Sequence, residues 1–143
     1  MKNEEIVVEE LNTLLRGTYM GIHAFEHHIQ RLEDEQVKQK FQSMQQQAKQ
    51  NAQKLAERIQ NLNGVPADSE GVSGKMHSLM HKVMLTNDTR DIMKDALKGV
   101  DQYGVEYSEE LVRGDLDPES RKIVEEVIDT SRMQAEMLRN LLH

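Results

Sequence analysis

Six histidines and 25 acids are the groups in this 143-residue chain that could do chemistry. His23 and His27 stand four apart, a spacing that puts two side chains on one helical face, where a pair of imidazoles can hold zinc, nickel or copper. His77 and His81 repeat that spacing. Met76, Met80 and Met84 recur at steps of four, which would suit Cu(I) through soft thioethers, although methionine is also a ready filler of irregular cores. His28 falls at the border of an apolar stripe and reads as a half-buried packing residue. Glu9-Glu10, Glu109-Glu110 and Glu125-Glu126 read as solvated surface pairs. Tyr103 and Tyr107 read as core residues, with no metal neighbour that would make either a redox tyrosine. With imidazole pKa values of about 6.5, the histidines could also make assembly depend on pH.

Composition closes several other chemistries. There is no cysteine, so disulfides, thiolate metal sites, Fe–S clusters and cysteine nucleophiles are excluded. A formal charge of −7 and a pI of about 5.4 argue against a nucleic-acid footprint, which needs clustered Lys and Arg. Neither a membrane-length apolar run nor a short apolar leader is present, so the expectation is a cytoplasmic protein with no membrane and no nucleic acid among its partners. No Gly-x-Ser-x-Gly and no phosphate-cradling glycine loop occurs, and no enzyme is assigned.

Long helices must position whatever chemistry remains. Val7, Leu11, Leu14, Thr18, Ile22, Phe25, Ile29 and Leu32 alternate steps of three and four, predicting a first helix capped by Asn3. A tight turn follows Leu32, and Asp34 caps a second helix through Val37, Phe41, Met44, Ala48, Ala52, Leu55, Ile59 and Leu62. Its crowded glutamines read as a solvated face. Asn63-Gly64 stops it, and residues 65–74 form the longest helix-poor stretch. Met76, Met80 and Val83 predict a short helix. Asn87-Asp88 then starts a third long helix through Ile92, Met93, Ala96, Val100, Tyr103, Tyr107 and Leu111. Gly114 ends it, and Asp117-Pro118 opens a fourth through Val124, Val127, Ile128, Ser131, Ala135, Leu138 and Leu142.

Two tight turns make two antiparallel hairpins, and a long linker between them lets the second and third helices run parallel. The fold class is therefore all-α: a single domain over residues 1–143, an antiparallel four-helix bundle with one long crossover carrying a short extra helix, as in ferritin-like folds.

Particular runs carry a family likeness. Leu11-Asn12-Thr13-Leu14-Leu15, Ala24-Phe25-Glu26-His27-His28, Gly74-Lys75-Met76-His77 and Tyr107-Ser108-Glu109-Glu110-Leu111 resemble a bacterial ferritin-like family known as a domain of unknown function, related distantly to rubrerythrins and bacterial stress-response bundles. The resemblance covers nearly the whole chain. It implies a ferritin-like fold with no settled activity, in a bacterial cytoplasm, with stress or sporulation as its setting.

Redox-active bundles of this kind hold two metal ions with inward glutamates and a Glu-x-x-His pair on each of two helices. The residues three before His23, His27, His28, His77, His81 and His143 are Met20, Ala24, Phe25, Gly74, Ser78 and Asn140, none of them an acid. Counting about 16 residues from each turn puts Thr18, Ala48, Asn51, Val100, Ser131 and Gln134 at the middle level, with Asp101 off the stripe. That layer offers no carboxylate, so the expectation is no metal, no cofactor and no catalytic residue. A tightly packed middle is expected instead, with Thr18 and Ser131 bonded to their own i−4 carbonyls.

The function read from the sequence is thus a non-catalytic structural or interaction bundle. Val8, Leu15, Met20, Leu97 and Met137 fall outside the stripes, and a homodimer would cover them. A metal-binding oxidoreductase or storage protein with a histidine-based site is the first alternative. An adaptor or chaperone taking a partner helix is the second.

Overall fold

The computed structural model describes residues 2–69 and 87–143. Helix α1 spans Lys2–Arg31, α2 Glu35–Asn61, α3 Thr89–Gly99, α4 Tyr107–Val112 and α5 Pro118–Leu142. A π-helical segment, Val100–Glu106, joins α3 to α4 without a break, so the three form one rod, and the described residues make a four-rod bundle with no strand. The predicted short helix, with Met76, Met80, Met84, His77 and His81, lies outside the described residues.

Local chemistry sets most boundaries. Asp34 caps α2, its carboxylate accepting from the amides of Gln36 and Val37 at 3.0 and 3.1 Å. Asp88 caps α3 through the Asp91 amide, and Asp117 caps α5 through the Ser120 amide with Pro118 in the first turn. Asn63 takes a left-handed φ of 65° just past α2, and Gly64 comes so near α1 that a Cβ there would sit 2.6 Å from Val8 Cγ1. Asn3 is not a cap: α1 has already begun at Lys2. Asn12 acts as a peptide substitute for the chain leaving α2, donating to the Val65 carbonyl and accepting from the Ala67 amide.

Two contacts fix the topology. Arg31, ending α1, donates to the Asn87 side chain at 2.9 Å, so α3 starts at the end of the bundle where α2 also starts. At the opposite end Arg58, near the end of α2, reaches Asp117 and Glu119 at the start of α5. Helices α2 and α3 therefore run parallel.

The core is divided. One cluster, near the Arg58 end, is built on Leu11, Leu15, Leu55, Ile59 and Val124. The other, near the Asn87 end, is built on Phe25, Phe41, Met44, Ile92 and Leu138. Leu15 and Met20 are buried, and Val8, Leu97 and Met137 are half-buried against these clusters. These five form no exposed apolar strip among the described residues; on α1 this is because the helix packs against both α2 and α3 and so buries a face wider than one stripe. Ile6, Val65 and Met133 are the exposed large apolar residues among those described.

Arg58 ties the two hairpins together. Its side chain is 11 % exposed and donates to Ser120 Oγ at 2.9 Å, Glu119 at 2.9 Å and Asp117 at 2.7 Å. Burial pushes the Asp117 carboxyl up, but the hydrogen bonds from Ser120 and the Arg58 charge outweigh it and hold the pKa below the ordinary carboxylate range. Arg58→Met should destabilise the fold by about 1.5–3 kcal/mol, because it removes charge-assisted bonds and strands a capping carboxylate. Urea unfolding followed by circular dichroism measures that loss.

Candidate functional site

Between the two apolar clusters lies a waist. The helical counting identified its residues correctly: Thr18, Ala48, Asn51, Val100, Ser131 and Gln134 share one layer. They do not fill it. They line a cavity of about 180 Å³, which overturns the expectation of a tightly packed middle. The cavity reaches solvent at Lys98 and Gln102, the exposed members of its lining, across from Gly17 and Gly21 of α1.

The π-helical segment explains the opening. In a π turn the amide bonds the carbonyl five residues back, so one extra residue is absorbed and later side chains rotate around the rod. Inward positions run Ile92, Ala96, Val100, Gly104, Ser108, a succession of fours that an α-helix cannot keep in line. Gly104 faces α5, where a Cβ would stand 2.6 Å from Ser131 Oγ, and Ser108 is fully buried. Beside the fully buried Ser108, Tyr107 is half-buried at the margin of the first cluster, and the Tyr103 side chain is not among those described. Asp101 sits outside, paired with Arg139 at 2.6 Å.

Hydrogen bonding around the cavity is uneven. Thr18 donates to the Leu14 carbonyl at 2.9 Å, as expected of a helical threonine, whereas Ser131 lies against Gly104 with no such bond among the described residues. Gln134, 6 % exposed, donates to the Met44 carbonyl and to Gln47 Oε1, joining α5 to α2 and leaving its own carbonyl oxygen without a donor among the described residues. Gln45 similarly joins α2 to α1 through the Ile22 carbonyl and Glu26. The sequence reading took the crowded glutamines of α2 for a solvated face; Gln47 instead accepts a cross-link from Gln134 of α5, and Gln45 makes a second, buried one.

His28 is not half-buried but 2 % exposed, at one wall of the cavity. Its ring packs edge-on against Phe41 and Phe25, with centroids 5.7 and 6.5 Å away, and neither ring nitrogen has a partner among the described residues. Burial, with a smaller effect of His27, lowers its pKa to about 4, so the imidazole is neutral at pH 7.

The donor set decides what metal chemistry the waist can support. A pair of divalent ions held as in redox-active ferritin-like bundles needs several carboxylates, and this layer offers hydroxyl, amide and aliphatic groups with one desolvated histidine at its edge. The residues do not fit. Among the described residues no group of three or more His, Asp or Glu side chains is placed to hold an ion. His23 is exposed and His27 half-buried on α1, with no third ligand gathered beside them. Glu109 and Glu126 pair with Arg132 and Lys54 at the surface, whereas Glu10 is half-buried, and burial with nearby Asp115 raises its pKa. No described helix is long and apolar enough to cross a membrane.

What the sequence reading missed was the space itself. Its trace was visible as Gly17, Gly21, Gly99 and Gly104 inside helical periodicity, where each glycine costs about 0.5–1 kcal/mol relative to alanine.

Comparison with known proteins agrees with this architecture. The family described as Domain of unknown function (DUF2383) matches residues 6–113. No curated protein matches the chain. Among solved structures, a dodecameric thioferritin, the bacterioferritin-related protein of Bacteroides fragilis, superposes with a TM-score of 0.76 at 14% identity, over 97% of this chain and 85% of that one. The DPS protein of Vibrio cholerae O1, a member of a broad superfamily of ferritin-like diiron-carboxylate proteins, gives 0.78 at 17% identity, over 99% and 92%. At such identities the likeness shows the fold, which is ferritin-like.

The buried His28 has a measurable signature. Its folded pKa of about 4 lies below the ordinary 6.5, so between these values the unfolded chain binds the proton and the folded chain does not. Stability is full above about pH 6.5 and falls toward pH 4, by an amount on the order of 3 kcal/mol from this group. His28→Leu should be as stable as the parent or more so at pH 7, because no polar atom is left unpartnered, and should flatten that part of the acid slope. Chemical unfolding of both proteins at pH 7, 6, 5 and about 4 gives the comparison.

Proposed function

The chain belongs to the DUF2383 family, and from that premise we propose that it is a non-catalytic ferritin-like bundle, one domain with a structural or interaction role, which self-associates as a homodimer in a bacterial cytoplasm. The neutral waist carries this reading: where a redox-active relative needs anionic ligands, this chain has Thr18, Asn51, Ser131 and Gln134. Self-association has narrower support than the sequence suggested. Met133 is 67 % exposed beside half-buried Met137 along the groove between α2 and α5, and one protein of the same fold is a dodecamer. The cytoplasmic setting rests on the family resemblance alone.

Elemental analysis of untagged protein, purified without chelator, should find iron, manganese and zinc far below one ion per chain. Near-stoichiometric metal that disappears in a His23→Ala, His27→Ala double variant would overturn the proposal in favour of a histidine-based metal protein.

Light scattering on a sizing column, at tens of micromolar, should return twice the mass of the chain. Met133→Glu should shift that mass toward the monomer, since a charge would be desolvated at the contact. A parent protein that is monomeric under these conditions removes the dimer.

A further inference from the structure

We propose that the waist cavity is a binding site for a small uncharged aromatic or heteroaromatic molecule carrying an amide or hydroxyl group. The inference rests on the waist not being a metal centre. Size comes first: at about 180 Å³ the space is comparable to an engineered protein cavity of about 150 Å³ that takes up benzene. A single ring with a short substituent fits such a volume.

The walls select its chemistry. Leu14, Phe25 and Val127 give an apolar surface suited to a ring face, while Asn51 brings an amide. Asn51 is only 5 % exposed, and its side chain has no hydrogen-bond partner among the described residues. The amide atoms of Asn51 are not among the fully buried unpartnered ones and stay accessible from the cavity, so a ligand edge that both donates and accepts takes the place of water there. Ser131 adds a hydroxyl in the same layer. Charged groups occur in the lining only as Asp95 and Lys98, on α3, and the deeper polar groups are neutral. Beyond Asp95 and Lys98 an ionised ligand would lose its hydration without gaining a counter-charge, which selects for neutral molecules.

The helices also keep the space open at a cost. A Cβ at Gly21 or Gly99 would meet nothing within 4 Å, so alanine is sterically free at both and would favour the helix by about 0.5–1 kcal/mol each. Packing gives no reason for glycine at either place. Access to a bound molecule does, since both line the cavity.

Titration of the ¹⁵N-labelled full-length chain with benzamide, phenol and indole, followed by two-dimensional NMR, tests the site. Benzamide at up to about 10 mM should give saturable shifts centred on the Asn51 side-chain amide and Ser131, and benzoate and benzylamine should bind at least about tenfold more weakly. Ala48→Leu, which fills the cavity, should weaken benzamide at least about tenfold while melting no lower than the parent. If that variant does not fold, Gly21→Leu, placed where an added side chain starts in open space, replaces it.

Shifts that do not saturate, that survive filling of the cavity, or that are matched by the charged analogues mean a space holding water alone and overturn the proposal. Mn(II) is titrated in parallel. Broadening of the same waist resonances by Mn(II) would overturn the metal-free reading and the ligand site together, whereas silence toward both Mn(II) and the probes removes the ligand site only.

Discussion

Gly104 has no side chain, and α5 packs into the place where one would be. Ser131 lies so near that a Cβ on residue 104 would be 2.9 Å from the serine Cβ. That approach constrains the whole third rod. Ahead of it, Ile92 and Ala96 face the second cluster; after it, Ser108 and Leu111 face the first. An unbroken α-helix cannot present all of these to one straight partner, because steps of four drift around a helix of 3.6 residues per turn. The π-helical segment absorbs the mismatch, and the pairs Asp101–Arg139 and Glu109–Arg132 fasten the rod to α5 on both sides of the contact. Helix α1 does not follow this movement, and the cavity is the space left on its side.

The molecule is consequently held at its ends and open in its middle. Leucine, isoleucine, valine, phenylalanine and methionine dominate the two clusters, while the layer between them has small and polar residues with unmet hydrogen-bonding groups at its edge. Ser108 Oγ and both nitrogens of His28 are buried without partners among the described residues. Each such group carries a desolvation cost of about 1–3 kcal/mol that an aliphatic replacement would remove. The fold is ferritin-like, and its middle layer is a set of neutral walls.

Much of this was legible in the sequence because its causes are local. The caps at Asp34, Asp88 and Asp117, the stop at Asn63-Gly64 and the three-four spacing of the apolar residues each act over a few positions, and they gave the helices and both hairpins. The composition of the waist followed from counting along those helices. Burial of Leu15 and Met20 was not legible, since it depends on how many neighbours α1 has. Nor were the cross-links of Gln45 and Gln134, whose residue type is ordinarily solvated. The π insertion shows in sequence only as a run of fours, which reads equally well as the edge of a broad stripe. A cavity is further still from local pattern, because it is set by the distance between elements.

Because α3 begins beside the end of α1, and α5 begins beside the end of α2, the chain forms two clasps that meet along a seam. Within each clasp the helices are joined by a short turn; across the seam the joints are side chains: Arg31 with Asn87 at one end, Arg58 with Asp117 at the other, and Gln134 with Gln47 between. The gap lies on this seam. Motions that part the clasps therefore sacrifice less packing than motions that open either one, and they belong to the low-energy end of the fluctuations of a folded protein. Widening of the opening at Lys98 and Gln102 is thus a matter of the clasps moving against each other, with every helix intact.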